Sequence, residues 1–156
     1  MRRRDVYTQL LYARRLPLLG RVAYYALKLL GVEVPLSVSI GEGVTLEHGA
    51  FGTVIHPKSQ IGSRVKIYPG VTLGRADIYR SMEGSSFEGI LIEDDVILAP
   101  GAKVLGKQGL LCVGSGTVIG ANAVLLQSTG PDEIWSGIPA SCTGRRQKEE
   151  VQSESG

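Results

Sequence analysis

Ile61-Gly62-Ser63-Arg64-Val65-Lys66-Ile67-Tyr68-Pro69-Gly70-Val71-Thr72-Leu73-Gly74 decides the fold. Ile61, Ile67 and Leu73 stand six positions apart, and Val65 and Val71 follow the first two by four. The same beat extends outward in both directions. Ile40-Gly41 with Val44, Leu98 with Ala102, Val113-Gly114 with Thr117, and Ile119-Gly120 with Ala123 repeat it, so it runs from near Ile40 almost to Gly130. A repeat this short identifies the architecture before any residue has a role. Six residues make one short strand and one bend. Three units close a triangular turn, and stacked turns pair as parallel strands at about 4.8 Å. The aliphatic residue must point inward, and the small residue after it sits at a corner that glycine tolerates. The expectation is an all-β prism.

The phase is continuous at 55, 61, 67 and 73, then at 92, 98 and 104, and again at 113, 119 and 125. From Leu73 to Ile92 the spacing exceeds one eighteen-residue turn by a residue, and the segment is polar and aromatic from Arg75 to Glu88. It reads as a loop thrown out of the prism at about 75–90. With 156 residues, 21 glycines and 6% aromatic content, the chain fits one domain with a narrow aliphatic interior. Net charge +2 gives no ground for nucleic acid as a partner. The cluster Arg2 to Arg4 reads as a solvated end. Cys112 and Cys142 have no spacing for a metal or a disulfide framework, Cys112 is expected to pack as a small apolar side chain, and a reducing cytoplasm is the default compartment.

Residues 1–31 differ in kind. Apolar residues recur at helical steps from Val6 to Leu30, and Pro17 with Gly20 divides them into two helical pieces. No apolar run approaches the ~20 residues of a membrane span, and charges interrupt every candidate secretory core. A helical cap on the first turn is the expectation. The alternative is a cationic surface making peripheral contact with membrane-embedded acceptors or anionic lipid. The prism is expected over 32–144, and 145–156 reads as a disordered polar tail.

Two histidines can be enumerated. His48 lies in Leu46-Glu47-His48-Gly49-Ala50-Phe51-Gly52, where the beat stretches from six residues to nine. A glycine-flanked imidazole at an irregular corner is accessible and can move a proton. A backbone-bonding role is the plainer alternative, and for His56, before Pro57 at a regular corner, it is the expected one. Glu33 precedes His48 by fifteen residues, so stacked turns bring the two to neighbouring rungs, where a carboxylate can hold one ring nitrogen protonated. Two histidines without a clustered third ligand make a zinc site a poor reading, and no metal is expected.

Taken together, 31–144 resembles the hexapeptide-repeat acyltransferases, in their serine acetyltransferase-like branch. The resemblance rests on Leu46-Glu47-His48-Gly49, Val54-Ile55-His56-Pro57, the run from Ile61 to Gly74, Pro100 to Gly106, Ile119 to Val124, and the closing Ser136-Gly137-Ile138-Pro139-Ala140. It implies a left-handed parallel β-helix, an exception to the usual right-handed crossover, and a homotrimer with sites in the clefts between prisms. It also implies that His48 is the general base, that Glu33 orients it, and that acetyl-CoA is co-substrate in a ternary complex without an acyl-enzyme. Gly74, Pro100, Gly101 and Ala121 would give the coenzyme close backbone approach, with Lys103 or Arg145 facing its phosphates.

Departures from the family pattern bear on the acceptor. The long N-terminal helical domain is replaced by about thirty residues. Phe87-Glu88-Gly89-Ile90 stands where the family has an arginine-histidine pair for the carboxylate of serine. Glu47 matches an acidic neighbour of the base, and Arg75 and Arg80 are the loop's candidate substitutes. On these grounds the sequence favours a hydroxylated saccharide or polysaccharide intermediate, with Tyr79 and Phe87 as stacking surfaces. Serine O-acetylation is the alternative, and a catalytically silent trimeric scaffold is a third reading from another class.

Overall fold

The computed structural model describes residues 5–147. The cluster Arg2 to Arg4 and the tail residues 148–156 lie outside them. Helix α1 (Val6–Ala13) starts where the Asp5 carboxylate accepts from the Thr8 N–H at 2.8 Å, an N-cap that satisfies one free amide. Helix α2 (Gly20–Leu29) follows a tight turn at the Pro17–Gly20 break. A Cβ on Gly20 would lie 2.5 Å from the Arg14 carbonyl oxygen, so the turn requires glycine there.

The chain then winds through short strands. The first are β1 (Val32–Glu33), β2 (Ser39–Ile40), β3 (Thr45–Leu46) and β4 (Thr53–Ile55), with a kinked turn over Glu47–Ala50 before β4. Next come β5 (Ser59–Ile61), β6 (Lys66–Ile67), β7 (Thr72–Arg75), β8 (Phe87–Ile92), β9 (Ile97–Leu98) and β10 (Lys103–Gly106). The winding ends with β11 (Gly109–Val113), β12 (Val118–Ile119), β13 (Val124–Leu125) and a final hairpin, β14 (Glu133–Gly137) and β15 (Ala140–Arg145). Up to β13, every third strand shares a sheet. The first sheet is β1-β4-β7-β10-β13, the second β2-β5-β8-β11, and the third β3-β6-β9-β12-β14-β15. All pairings are parallel except the closing hairpin. The result is a three-sided parallel β-helix under a two-helix cap.

The in-phase aliphatics form its axis: Ile55, Ile61, Ile67, Leu73, Ile92, Leu98, Val104, Val113, Ile119 and Leu125 are all buried. The interior is not wholly aliphatic, since Phe87 and Trp135 are buried as well, at the base of the loop and in the last coil. Coil length varies. Ile55 pairs with Leu73, a regular eighteen residues, whereas Ile40 pairs with Ile61 and Ile92 with Val113, three residues longer. Ile61 pairs with Ile92, thirteen residues beyond the regular coil. The extruded loop is therefore shorter than the expected 75–90. Arg75 closes β7 and Phe87 opens β8, leaving 76–86 outside, because the Phe87 ring is drawn inward against Gly106.

Three further details depart from the sequence reading. Gly41, Gly62 and Gly114 do not adopt left-handed angles; they are required because a Cβ would strike the next layer of chain, at 2.4 Å for Gly41. Cys112 is half-buried at an outward position of β11, where the chain at Ser128 and Thr129 bonds across it. Order continues past the expected start of the tail, since Arg145 ends β15 and the Arg146 guanidinium donates to the carbonyls of Asp95 and Gly116. Among the described residues no helix is long and apolar enough to cross a membrane.

The cap is fixed by polar contacts. The Tyr12 hydroxyl donates to the Gly41 carbonyl at 2.9 Å and accepts from the Val44 N–H at 2.8 Å. The Thr8 hydroxyl accepts from the Leu46 N–H at 3.2 Å. Arg14, nearly buried, donates to the Pro35 carbonyl, and burial pushes its pKa down to about 10, helped by neighbouring Arg15.

Candidate active site

The stretched corner between the third and first sheets holds His48. Its backbone, with Gly49 and Ala50, lies in the left-handed region at φ 51°, 76° and 46°. Three consecutive residues there reverse the chain sharply and leave the imidazole exposed at the tip. A non-glycine residue at such an angle costs energy, and strained positions of this kind concentrate at functional sites. The turn is held from behind by α1: a Cβ on Gly49 would fall 2.8 Å from the Tyr7 ring. The Thr45 hydroxyl donates to the Glu47 carboxylate at 2.8 Å, fixing that acid beside the histidine. The Tyr68 ring flanks His48 with centroids 6.0 Å apart.

One edge of the prism collects most of the expected residues. The corner of His48, then Tyr68 to Val71, Ala99 to Ala102, and Gly120 to Ala123 stack as successive turns between the third and first sheets. Pro100, Gly101 and Ala121 thus lie on the same edge as His48, in later coils, over on the order of 15 Å at strand spacing. Gly101 adopts φ 74°, and a Cβ there would collide with the Asn122 side chain, so the edge stays narrow. The Lys103 ammonium reaches this edge and donates to the Gly70 carbonyl. Gly74 sits mid-strand in the first sheet, where a Cβ would make only ordinary contacts with Thr72 and Leu105. Arg145 is exposed at the end of β15, on the third sheet.

The remaining candidates lie elsewhere. Glu33 pairs in register with Val54, and its carboxylate is held by the Lys28 ammonium at 3.0 Å, an exposed pair that raises the lysine pKa mainly through that hydrogen bond. Among the described residues no hydrogen bond joins Glu33 to His48. Arg75, the last residue of β7, and Arg80, in the loop, lie on the opposite edge of the first sheet from His48. Arg75 serves the loop itself: it donates to the Arg80 carbonyl at 2.9 Å and its Nε stands 3.7 Å from the Asp77 carboxylate. Asp77 is buried, and the Ser85 hydroxyl, donating at 2.7 Å, is the main cause holding its pKa below the usual carboxylate range. The Arg80 guanidinium is exposed, 5.7 Å from the centre of the Tyr79 ring. His56 lies on this same loop edge, its Nδ1 accepting from the Lys58 N–H at 3.1 Å and its ring edge-on to Phe87. Burial, with Arg75 and Lys58 nearby, lowers its pKa.

Sequence reasoning missed Tyr7 and Tyr68 as neighbours of the histidine turn. Tyr68 was recoverable: Leu46 pairs with Ile67, which sets Tyr68 one coil beyond Glu47. Tyr7 was not, because its position depends on how α1 docks.

No family model matches the chain. It is 36% identical over 129 residues to the serine acetyltransferase of Helicobacter pylori, covering 81% of this chain and 70% of that one. It is 34% identical to the serine acetyltransferase of Mycobacterium tuberculosis over 88% of this chain and 56% of that one. The chain spans about half the length of most of the relatives and solved structures it matches. Among solved structures, the Vibrio cholerae serine acetyltransferase gives a TM-score of 0.72 at 31% identity, over 91% of this chain and 54% of that one. The Brucella abortus enzyme in complex with coenzyme A gives 0.70 at 26%, over 90% and 55%. The Neisseria gonorrhoeae enzyme in complex with serine gives 0.67 at 29%, over 86% and 54%. The prism is a left-handed parallel β-helix. By sequence and by fold, the chain belongs to the serine acetyltransferase-like branch of the hexapeptide-repeat acyltransferases.

Proposed function

We propose that this protein transfers an acetyl group from acetyl-CoA to an acceptor hydroxyl, with His48 as general base. The observation that carries the reading is the exposed imidazole on a strained turn, at one end of the edge lined by Pro100, Gly101 and Ala121. His48 takes the proton as the acceptor oxygen bonds to the thioester carbon. The tetrahedral adduct then collapses, the carbon–sulfur bond breaks, and the proton passes from His48 to the departing thiolate. The coenzyme runs down the narrow edge, with the Lys103 ammonium facing its phosphates. Its donor role is supported by the Brucella abortus neighbour, which was solved with coenzyme A. Glu33 enters as a positioning residue only by exchanging Lys28 for His48. Glu33→Gln measures that role: a tenfold or greater fall in turnover supports it, and unchanged turnover leaves Glu33 as the partner of Lys28.

L-serine is placed first among acceptors. The relatives carry it in their names, and the gonococcal neighbour was solved with it. This reverses the order that the sequence alone suggests. A saccharide hydroxyl is the second reading, favoured by one observation: Arg75 is committed to Asp77 and the loop backbone, and Glu88 is exposed where a carboxylate-binding arginine would serve. Because His48 and the 76–86 loop occupy different edges of one prism, a homotrimer is the assembly in which one protomer's histidine meets a neighbour's loop. The deciding experiment incubates the protein with acetyl-CoA and a panel of L-serine and saccharides, following thiol release. Release with L-serine alone confirms the first reading, and release with a saccharide alone confirms the second. No release with any acceptor favours a scaffold.

A further inference from the structure

We propose that the helical cap is a docking surface for an anionic phospholipid membrane. Helix α2 is two-faced in an unusual way. Gly20, Ala23 and Leu27 are buried against the rest of the molecule, yet the opposite side is also apolar. Val22, Tyr25 and Leu29, at helical three- and four-residue spacing, form one exposed line, continued by Leu18 in the preceding turn. Leu18 and Leu29 are each 90% exposed, and Val22 and Tyr25 each 65%. Four large apolar side chains on one small surface exceed the scattered exposure ordinary in soluble proteins.

The charges around this line select its occupant. No acidic residue occurs between Asp5 and Glu33; Arg21 is exposed beside the apolar side chains, Lys28 is exposed with its ammonium paired to Glu33 at 3.0 Å, and Arg2 to Arg4 precede the helices in sequence. Arg21 and Lys28 flank the stripe on one side of α2, the arrangement of a helix lying in a bilayer interface with apolar groups below the headgroups and cations among them. A second copy of the chain fits poorly, because face-to-face packing would oppose the same cations. An anionic surface neutralises them, and each adjacent cation strengthens binding by roughly fivefold.

The test uses the full chain and sedimentation with two vesicle types, pure phosphatidylcholine and phosphatidylcholine carrying about one-third phosphatidylglycerol. Selective sedimentation with the anionic vesicles, falling at high salt, is expected. Leu18→Asp with Leu29→Asp should reduce binding tenfold or more, and Arg21→Gln severalfold, with thermal unfolding unchanged because all three side chains are exposed. Binding absent from both vesicle types, equal on both, or unaffected by the paired aspartates would overturn the proposal. So would concentration-dependent self-association in vesicle-free solution that Leu29→Asp abolishes, which would assign the face to a second copy. None of these outcomes bears on acetyl transfer.

Discussion

Gly41→Ala isolates the close approach of successive coils. The position has no left-handed angle to strain, so the substitution adds one methyl group and little else. That methyl would stand 2.4 Å from the Gly62 carbonyl carbon and 2.5 Å from both its oxygen and the Ser63 nitrogen. Ordinary contact needs about 3.5 Å, so the two coils must separate by roughly 1 Å. They are joined at this point by the Gly41 N–H donating to the Ile61 carbonyl at 2.8 Å, a bond that such a displacement breaks. Overpacking against backbone costs about 1–3 kcal/mol and the lost hydrogen bond about 1. Reduced freedom of the unfolded chain returns about 0.4–1 kcal/mol. The net expectation is a loss of about 1–3.5 kcal/mol, or a fall in Tm of roughly 2–14 °C for a chain of this size. Urea unfolding at fixed protein concentration, followed by the fluorescence of buried Trp135, reads it directly. Gly144→Ala is the control: a Cβ there meets nothing within 4 Å, and a change within about 0.5 kcal/mol is expected. Wild-type stability in Gly41→Ala would refute the close-approach account of these corners.

Two other outcomes follow from the cap and the second histidine. Tyr12→Phe removes a hydroxyl that serves both the Gly41 carbonyl and the buried Val44 amide; it should lower stability by about 1–2 kcal/mol in the same urea assay. His56 has a folded-state pKa below its ordinary value near 6.5, so the unfolded chain takes up the proton first. Stability contributed by the neutral ring is complete above pH 6.5, declines as pH falls below it, and levels off beneath the folded pKa. His56→Gln should flatten that part of the pH–stability curve.

The prism was legible because its rule is local. A buried aliphatic every six residues needs no knowledge of distant chain, and Ile61, Ile67 and Leu73 point inward wherever the coils stack. His48 was legible as the place where that rule breaks. What escaped the sequence depends on packing between segments. The loop ends at Phe87 because an aromatic ring fits against Gly106, a pairing that no spacing announces. Glu33 faces Lys28 because the turn after α2 returns the helix end to β1, whereas fifteen-residue spacing spoke only for His48. Arg75 was a candidate ligand until the folded loop supplied Asp77 and the Arg80 carbonyl as its partners.

Thiol release from acetyl-CoA by the His48→Asn variant tests general-base catalysis most directly. Asparagine tolerates the left-handed angle at this position, so the turn and the fold should persist. A fall of about 10²-fold or more, with unchanged unfolding and unchanged coenzyme A binding, is the expected result. Turnover equal to wild type would contradict it.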